Sequence, residues 1–191
     1  MRWATTHSEE EIRVARDRSL SVGTAVHAAI ESAIHGSDNP ERHLALASDE
    51  YRKEADRAFR SWLTWRASED GARWTFLGTE LPLVSEKGRY GGTLDVLARD
   101  ELTGELCVGD WKTSGDLHVG AFYQLAGYAD AWDREPISGG FVVRLHTADV
   151  GYQFAFPPEA VWEATRKQWR SILRSYVIER QLVGVLQRAR R

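Results

Sequence analysis

Apolar residues in the first third of the chain recur at the three- and four-residue spacing of helices. Val22, Val26, Ile30, Ala33 and Ile34 form one such stripe, which predicts a helix from about 21 that Gly36 and Pro40 end. Ahead of it, Ser8-Glu9-Glu10-Glu11 has the form of a capping box and predicts a separate helix over 8–17. A long helix is predicted over 41–69, with Tyr51, Phe59, Trp62 and Trp65 turned inward. From Trp74 the period shortens. Residues 75–84, 90–99 and 106–111 alternate like strands, and Lys87-Gly88 and Thr103-Gly104 separate them as turns, so an antiparallel meander is expected. A helix over 116–133 carries Leu117, Ala121, Leu125, Ala129 and Trp132 on one stripe. Strands at 141–145 and 152–156 follow. Pro157 and Pro158 suit the first turn of a last helix, to about 188, with Val161, Thr165, Trp169, Ile172 and Tyr176 inward. Helices, three strands, a helix, two strands and a helix predict an α/β fold, a mixed central sheet flanked by helices.

Composition narrows the classes. A chain of 191 residues, 42% hydrophobic and 28% charged, fits one soluble globular domain and excludes a disordered or fibrous chain. Cys107 is the single cysteine, which excludes a disulfide framework and any four-cysteine zinc or iron–sulfur site. No apolar run is long enough for a transmembrane helix, and Met1 to His7 has no signal-peptide core, so a cytoplasmic protein is expected. The net charge of −3 speaks against a nucleic-acid partner until its distribution is read. Residues 157–191 carry eight Lys/Arg against three Glu, a net of +5, which leaves −8 for residues 1–156. A solvated basic helix accounts for this as well as a phosphate-binding surface does.

The candidate chemistry lies in the meander. Asp95 sits mid-strand between Leu94 and Val96. Fifteen residues on, Asp110 and Lys112 in Gly109-Asp110-Trp111-Lys112-Thr113 project to one face at i and i+2, with Trp111 pointing to the other. The intervening turn brings Asp95 and Asp110 near one another. Two close carboxylates call for a cation between them, and a hard divalent metal suits this donor set. A plain Asp–Lys salt bridge would give the same local pair. His27 and Glu31 lie four apart on one helical face, where a histidine is also a common surface or core residue. Glu80 is an acid within an apolar strand, and an outward-facing position would account for it. Gln124 and Tyr128 stand one turn apart on the following helix.

In order, Gly23-Thr24 with His27, Glu80 before a proline, Gly92-Thr93-Leu94-Asp95, Asp110-Trp111-Lys112-Thr113 and Gln124 with Tyr128 resemble the RecB/Cas4-like branch of the PD-(D/E)XK nucleases. The set is similar to the short phage and prophage exonucleases of that branch. It spans about 23–145, within an expected nuclease core of about 21–147 in a single domain. The resemblance implies a restriction-endonuclease-like core and Mg²⁺- or Mn²⁺-dependent hydrolysis of DNA in recombination, repair or DNA processing. It implies His27, Glu80, Asp95, Asp110 and the Trp111 carbonyl as metal ligands, with Lys112, Asp110, Asp95 and Glu80 catalytic. Glu31, Gln124 and Tyr128 would support them, Gln124 and Tyr128 also lining the DNA path. Arg166, Lys167 and Arg170 are expected to meet DNA phosphates. Partners of the implied kind are a helicase, a recombinase or a single-strand annealing protein, and no membrane. Lone Cys107 departs from the branch members that hold an iron–sulfur cluster, so no cluster is expected. A nuclease-like fold that binds DNA or protein without cutting is the alternative.

Overall fold

The computed structural model describes residues 8–113 and 115–189. Met1 to His7, read above for a leader, and the terminal Arg190 and Arg191 lie outside the described residues. The first two predicted helices are one, α1 (Glu9–Ile34). Ser8 caps it as expected, its hydroxyl accepting from the Glu11 amide at 3.3 Å while Glu11 accepts from the Ser8 amide at 2.7 Å. No glycine or proline falls between 17 and 21, so nothing breaks the helix there. The long helix predicted over 41–69 is instead three pieces: a 3-10 helix (Pro40–Leu46), α2 (Arg52–Arg66) and α3 (Glu69–Ala72). Short polar side chains cause both interruptions by taking amides that a helix needs. The Ser21 hydroxyl accepts from the Ser48 amide at 3.0 Å, and Ser68 accepts from Gly71 to cap α3.

The strands are β1 (Trp74–Ser85), β2 (Tyr90–Asp100), β3 (Leu106–Lys112), β4 (Gly139–Leu145) and β5 (Tyr152–Ala155). They form one sheet in the order β1-β2-β3-β4-β5. The meander is antiparallel as expected, β3 and β4 are parallel, and β5 returns antiparallel. The parallel step follows from the crossover helix α4 (Val119–Ala131), since a short turn cannot join parallel neighbours.

Helices cover both faces. On one, α1 and α2 bury Val22, Val26, Ile30, Phe59, Trp62 and Trp65 against Val96, Trp111, Phe141 and Val143. On the other, α4 and the start of α5 (Glu159–Ala189) bury Leu125 and Trp162 against Leu94, Val108 and Val142. The tryptophans of this core are packing residues, as their stripes implied. The last helix is turned relative to expectation. Both prolines precede it, the Pro158 carbonyl accepts from Val161 and Trp162, and Trp162 rather than Val161 faces inward. Gly140 makes room for that ring: a Cβ there would lie 2.7 Å from Trp162. Among the described residues no helix is long and apolar enough to cross a membrane.

Gly109, beside the candidate aspartate, sits under the aromatic cluster. A Cβ there would meet the Phe141 ring and stand 2.6 Å from Val96 Cγ1. Gly109→Ala is therefore expected to destabilise the protein by roughly 1–3 kcal/mol through overpacking, read from the midpoint of urea unfolding. An unchanged midpoint would show that the cluster yields.

Candidate active site

Three adjacent strands each deliver one carboxylate. The β1–β2 register runs from Trp74↔Asp100 to Phe76↔Ala98 and shifts before Gly78↔Leu97 and Thr79↔Val96. Leu77 is the extra residue of this bulge. Without it Thr79 would face Asp95; with it Glu80 does. The β2–β3 ladder ends at Val96↔Gly109, one step before Asp95 and Asp110. Beyond that point the Asp95 carboxylate takes over from the backbone, Oδ2 accepting the Trp111 amide at 2.9 Å. The core pattern breaks at the same place: Leu94 packs on the α4 side, Val96 on the α1 side. Glu80 holds a φ of 48°, in the left-handed region that costs a residue with a Cβ about 1–3 kcal/mol. Such strain is concentrated at functional sites, and here it coincides with the bulge that aims Glu80.

His27 enters from α1. The buried face of the helix lies on the sheet, and His27 flanks it over the strand ends. Its Nε2 stands 3.0 Å from the Trp111 carbonyl. A carbonyl only accepts, so Nε2 carries the proton of that bond and Nδ1 is turned to Glu80 Oε1 at 3.5 Å and Asp95 Oδ2 at 3.7 Å. One ligand atom each from His27, Glu80 and Asp95 lies within 4.8 Å of the others. Burial alone would lower the His27 pKa, but Glu80 and Asp95 prevail and raise it to about 9. Burial raises Asp95, partly opposed by His27 and the Trp111 amide. Asp110 is raised to about 7 by burial and by Asp95, against the pull of Lys112.

Lys112 Nζ lies 2.8 Å from the Asp110 carboxylate and donates to Gln124 Oε1 at 3.1 Å. Gln124 Nε2 donates in turn to the Tyr128 hydroxyl at 2.9 Å. Tyr128 is seated against Gly92, where a Cβ would lie 2.8 Å from its ring. Asp110 Oδ2, although near the ammonium, is buried without a hydrogen bond of good geometry.

Sequence reasoning thus names residues that meet: His27, Glu80, Asp95, Asp110, Lys112, Gln124 and Tyr128 form one site. Five further candidates, Trp111, Arg166, Arg170, Lys167 and Glu31, have surroundings of their own. The Trp111 carbonyl accepts from His27 Nε2 and orients the ring. Arg166 and Arg170 pair with the half-buried Asp130 carboxylate of α4, at 3.0 Å and 2.7 Å. They line a groove with Lys87, Tyr90 and Trp132, away from Lys112. Lys167 is exposed on the same helix, outside the site. The Glu31 side chain has no hydrogen bond or ion pair among the described residues; it lines a cleft of about 470 Å³ with Leu20, Thr24, His27 and Glu80. On the other side of the carboxylates, Lys112 and Gln124 line a second cleft with Asp116, His118 and Gly120. Leu20 and His118 were not singled out from sequence; only their nearness to the Gly23-Thr24 and Lys112-Thr113 motifs signals them.

His27, Glu80 and Asp95 could hold a metal ion, one imidazole nitrogen with carboxylate oxygens from two residues, and Asp110 lies beside Asp95 on the next strand. The unbonded Asp110 oxygen and the raised carboxyl pKa values mark an excess of buried negative charge.

No family model matches this chain, and no curated protein does. Among the solved structures that do match, a crystal structure of SSO0001 aligns over 79% of this chain and 74% of that one, at 13% identity and a TM-score of 0.34. That likeness is too loose to bear on what this chain does.

The raised Asp110 pKa has a measurable sign. The folded state holds its proton up to about pH 7 and the unfolded chain only to about pH 3.8, so without metal this group costs stability as pH rises between them. Asp110→Asn is therefore expected to raise the thermal midpoint by about 3 °C or more at pH 8 in EDTA. The gain should shrink toward pH 4. Equal midpoints at pH 8 would contradict the crowding of the two aspartates.

Proposed function

We propose that the protein is a metal-dependent nuclease of the PD-(D/E)XK kind, hydrolysing phosphodiester bonds in DNA. The observation that carries this reading is the row of Glu80, Asp95 and Asp110 across β1–β3, with His27 at one end and Lys112 against Asp110. The order helix, three-stranded meander, crossover helix and parallel strand suits a restriction-endonuclease-like core. A coordinated Mg²⁺ or Mn²⁺ supplies Lewis-acid polarisation of the phosphate and acidifies a bound water. His27, Glu80, Asp95 and Asp110 would hold it.

The chain's own groups do the rest. The Trp111 carbonyl fixes the His27 tautomer so that Nδ1 points at the carboxylates. The hydrogen bond that the Trp111 amide donates to Asp95 locks the carboxylate at the point where the strands part. Lys112, held by Asp110 and Gln124, sets a positive charge beside the carboxylates, where it can orient a water and offset the charge that builds on the phosphate oxygens. Tyr128 braces Gln124, so the lysine is aimed through two hydrogen bonds rather than swinging in solvent.

Cleavage of end-labelled duplex and single-stranded DNA with Mg²⁺ or Mn²⁺ tests this. Wild type is expected to cut; Lys112→Ala and Asp95→Ala should lose at least about a hundredfold in rate while melting cooperatively. Release of nucleotides from linear DNA with circles left intact would make it an exonuclease, the mode the resemblance favours. DNA binding without cutting would instead make the chain a scaffold.

A further inference from the structure

Two successive residues of β1 reach the same helix. Thr79 Oγ1 lies 2.9 Å from His35 Nε2, and Glu80 Oε1 lies 3.5 Å from His27 Nδ1. In a regular strand neighbouring side chains point to opposite faces of the sheet, so only one of the two could meet α1. The left-handed backbone at Glu80, with its φ of 48°, allows both. The flanking pairs show the same reversal. Thr79 pairs with Val96, which packs on the α1 side, whereas Leu81 pairs with Leu94, which packs on the α4 side. A residue with a Cβ stays left-handed only where its surroundings hold it there. His35 stands two turns beyond His27 on one face of α1, with Glu31 between them, at i, i+4 and i+8. It caps the C-terminus of the helix, and the backbone fixes its place. The His35 amide donates to the Glu31 carbonyl at 3.0 Å, and Gly36 then turns left-handed with a φ of 75°. Thr79 is buried, and the His35 imidazole is the partner that its hydroxyl has among the described residues.

We propose that His35 is a positioning residue: through Thr79 it holds the left-handed backbone at Glu80, and so keeps the Glu80 carboxylate turned to His27 and Asp95. The two histidines lie about 12 Å apart along the helix axis at 1.5 Å per residue, whereas Thr79 and Glu80 are neighbours in the chain. Their side chains therefore part toward opposite ends of that stretch of α1. Relaxing Glu80 to extended backbone would carry one of them off the helix. Loss of Thr79 from His35 would leave a buried hydroxyl without its partner, and this opposes the relaxation. Helix α1 thus clamps β1 at two points, His27 on the carboxylate and His35 on the residue before it. The consequence for metal binding rests on the site proposed above; the hold on the backbone does not.

The three-bond coupling between the amide and α protons of Glu80 tests this in the metal-free protein, because it is larger in extended than in left-handed backbone. His35→Ala and the shape-conserving Thr79→Val are each expected to raise that coupling toward the extended value. Each should also weaken Mn²⁺ binding about tenfold by calorimetric titration. His35→Gln and Thr79→Ser, which keep a hydrogen-bonding group at either end, should bring both readouts back to wild type. A Glu80 coupling that stays left-handed in His35→Ala and Thr79→Val overturns the proposal. So does a raised coupling with the Mn²⁺ affinity of wild type. A wild type that binds no Mn²⁺, with the coupling still raised in His35→Ala, removes the nuclease reading and leaves the hold of His35 on Glu80 standing.

Discussion

Asp95 and Asp110 sit where β2 and β3 stop pairing, and the bond between the Asp95 carboxylate and the Trp111 amide is made possible by that parting. A buried backbone amide needs a partner. Here it finds one in a side chain, which anchors Asp95, leaves the Trp111 carbonyl turned to His27, and sets Asp110 and Lys112 on the strand residues to either side. The site is thus built on backbone hydrogen bonding that is redirected, and its side chains inherit their positions from the sheet. The rigidity comes from beneath: Trp65, Trp74, Trp111 and Phe141 pack ring on ring under Gly109, with Trp74 and Phe141 centroids 4.4 Å apart.

The same arrangement is electrostatically unfavourable as a bare protein. Burial and mutual repulsion push Asp110 up to about 7, and His27 answers by holding its proton to about 9. The imidazolium joins the Lys112 ammonium as a cation that the chain supplies itself, and it faces the point where Glu80 and Asp95 converge. Stability is given up locally for a cluster of buried charge, which is the trade expected of a functional site. The left-handed backbone at Glu80 belongs to the same trade.

Local rules account for what was legible in the sequence. The meander, its turns and the i, i+2 placement of Asp110 and Lys112 follow from strand alternation alone, and His27 falls on the correct helix because Val22, Val26 and Ile30 fix its face. The misread features are decided by contacts distant in sequence. The Leu77 bulge, absent from the sequence reading, sets Glu80 rather than Thr79 opposite Asp95, and Gly78 within the strand is the local hint of it. Ser48 breaks the long helix because Ser21, 27 residues away, accepts its amide. The pairing of Arg166 and Arg170 with Asp130, 36 and 40 residues earlier, likewise has no local signal. The stripe of α5 is displaced because Trp162 fits over Gly140 and Val161 does not.

In the proposed site His27, Glu80, Asp95 and Asp110 hold one divalent cation, and the His27 imidazole keeps a proton in their midst until the ion arrives. Calorimetric titration with Mn²⁺ at pH 7, repeated in buffers of different ionisation enthalpy, tests it most directly, because it counts protons as well as ions. Saturable binding with net proton release is predicted, with both lost together in His27→Ala and Asp95→Ala. Binding without proton release, or binding that survives both substitutions, would contradict it.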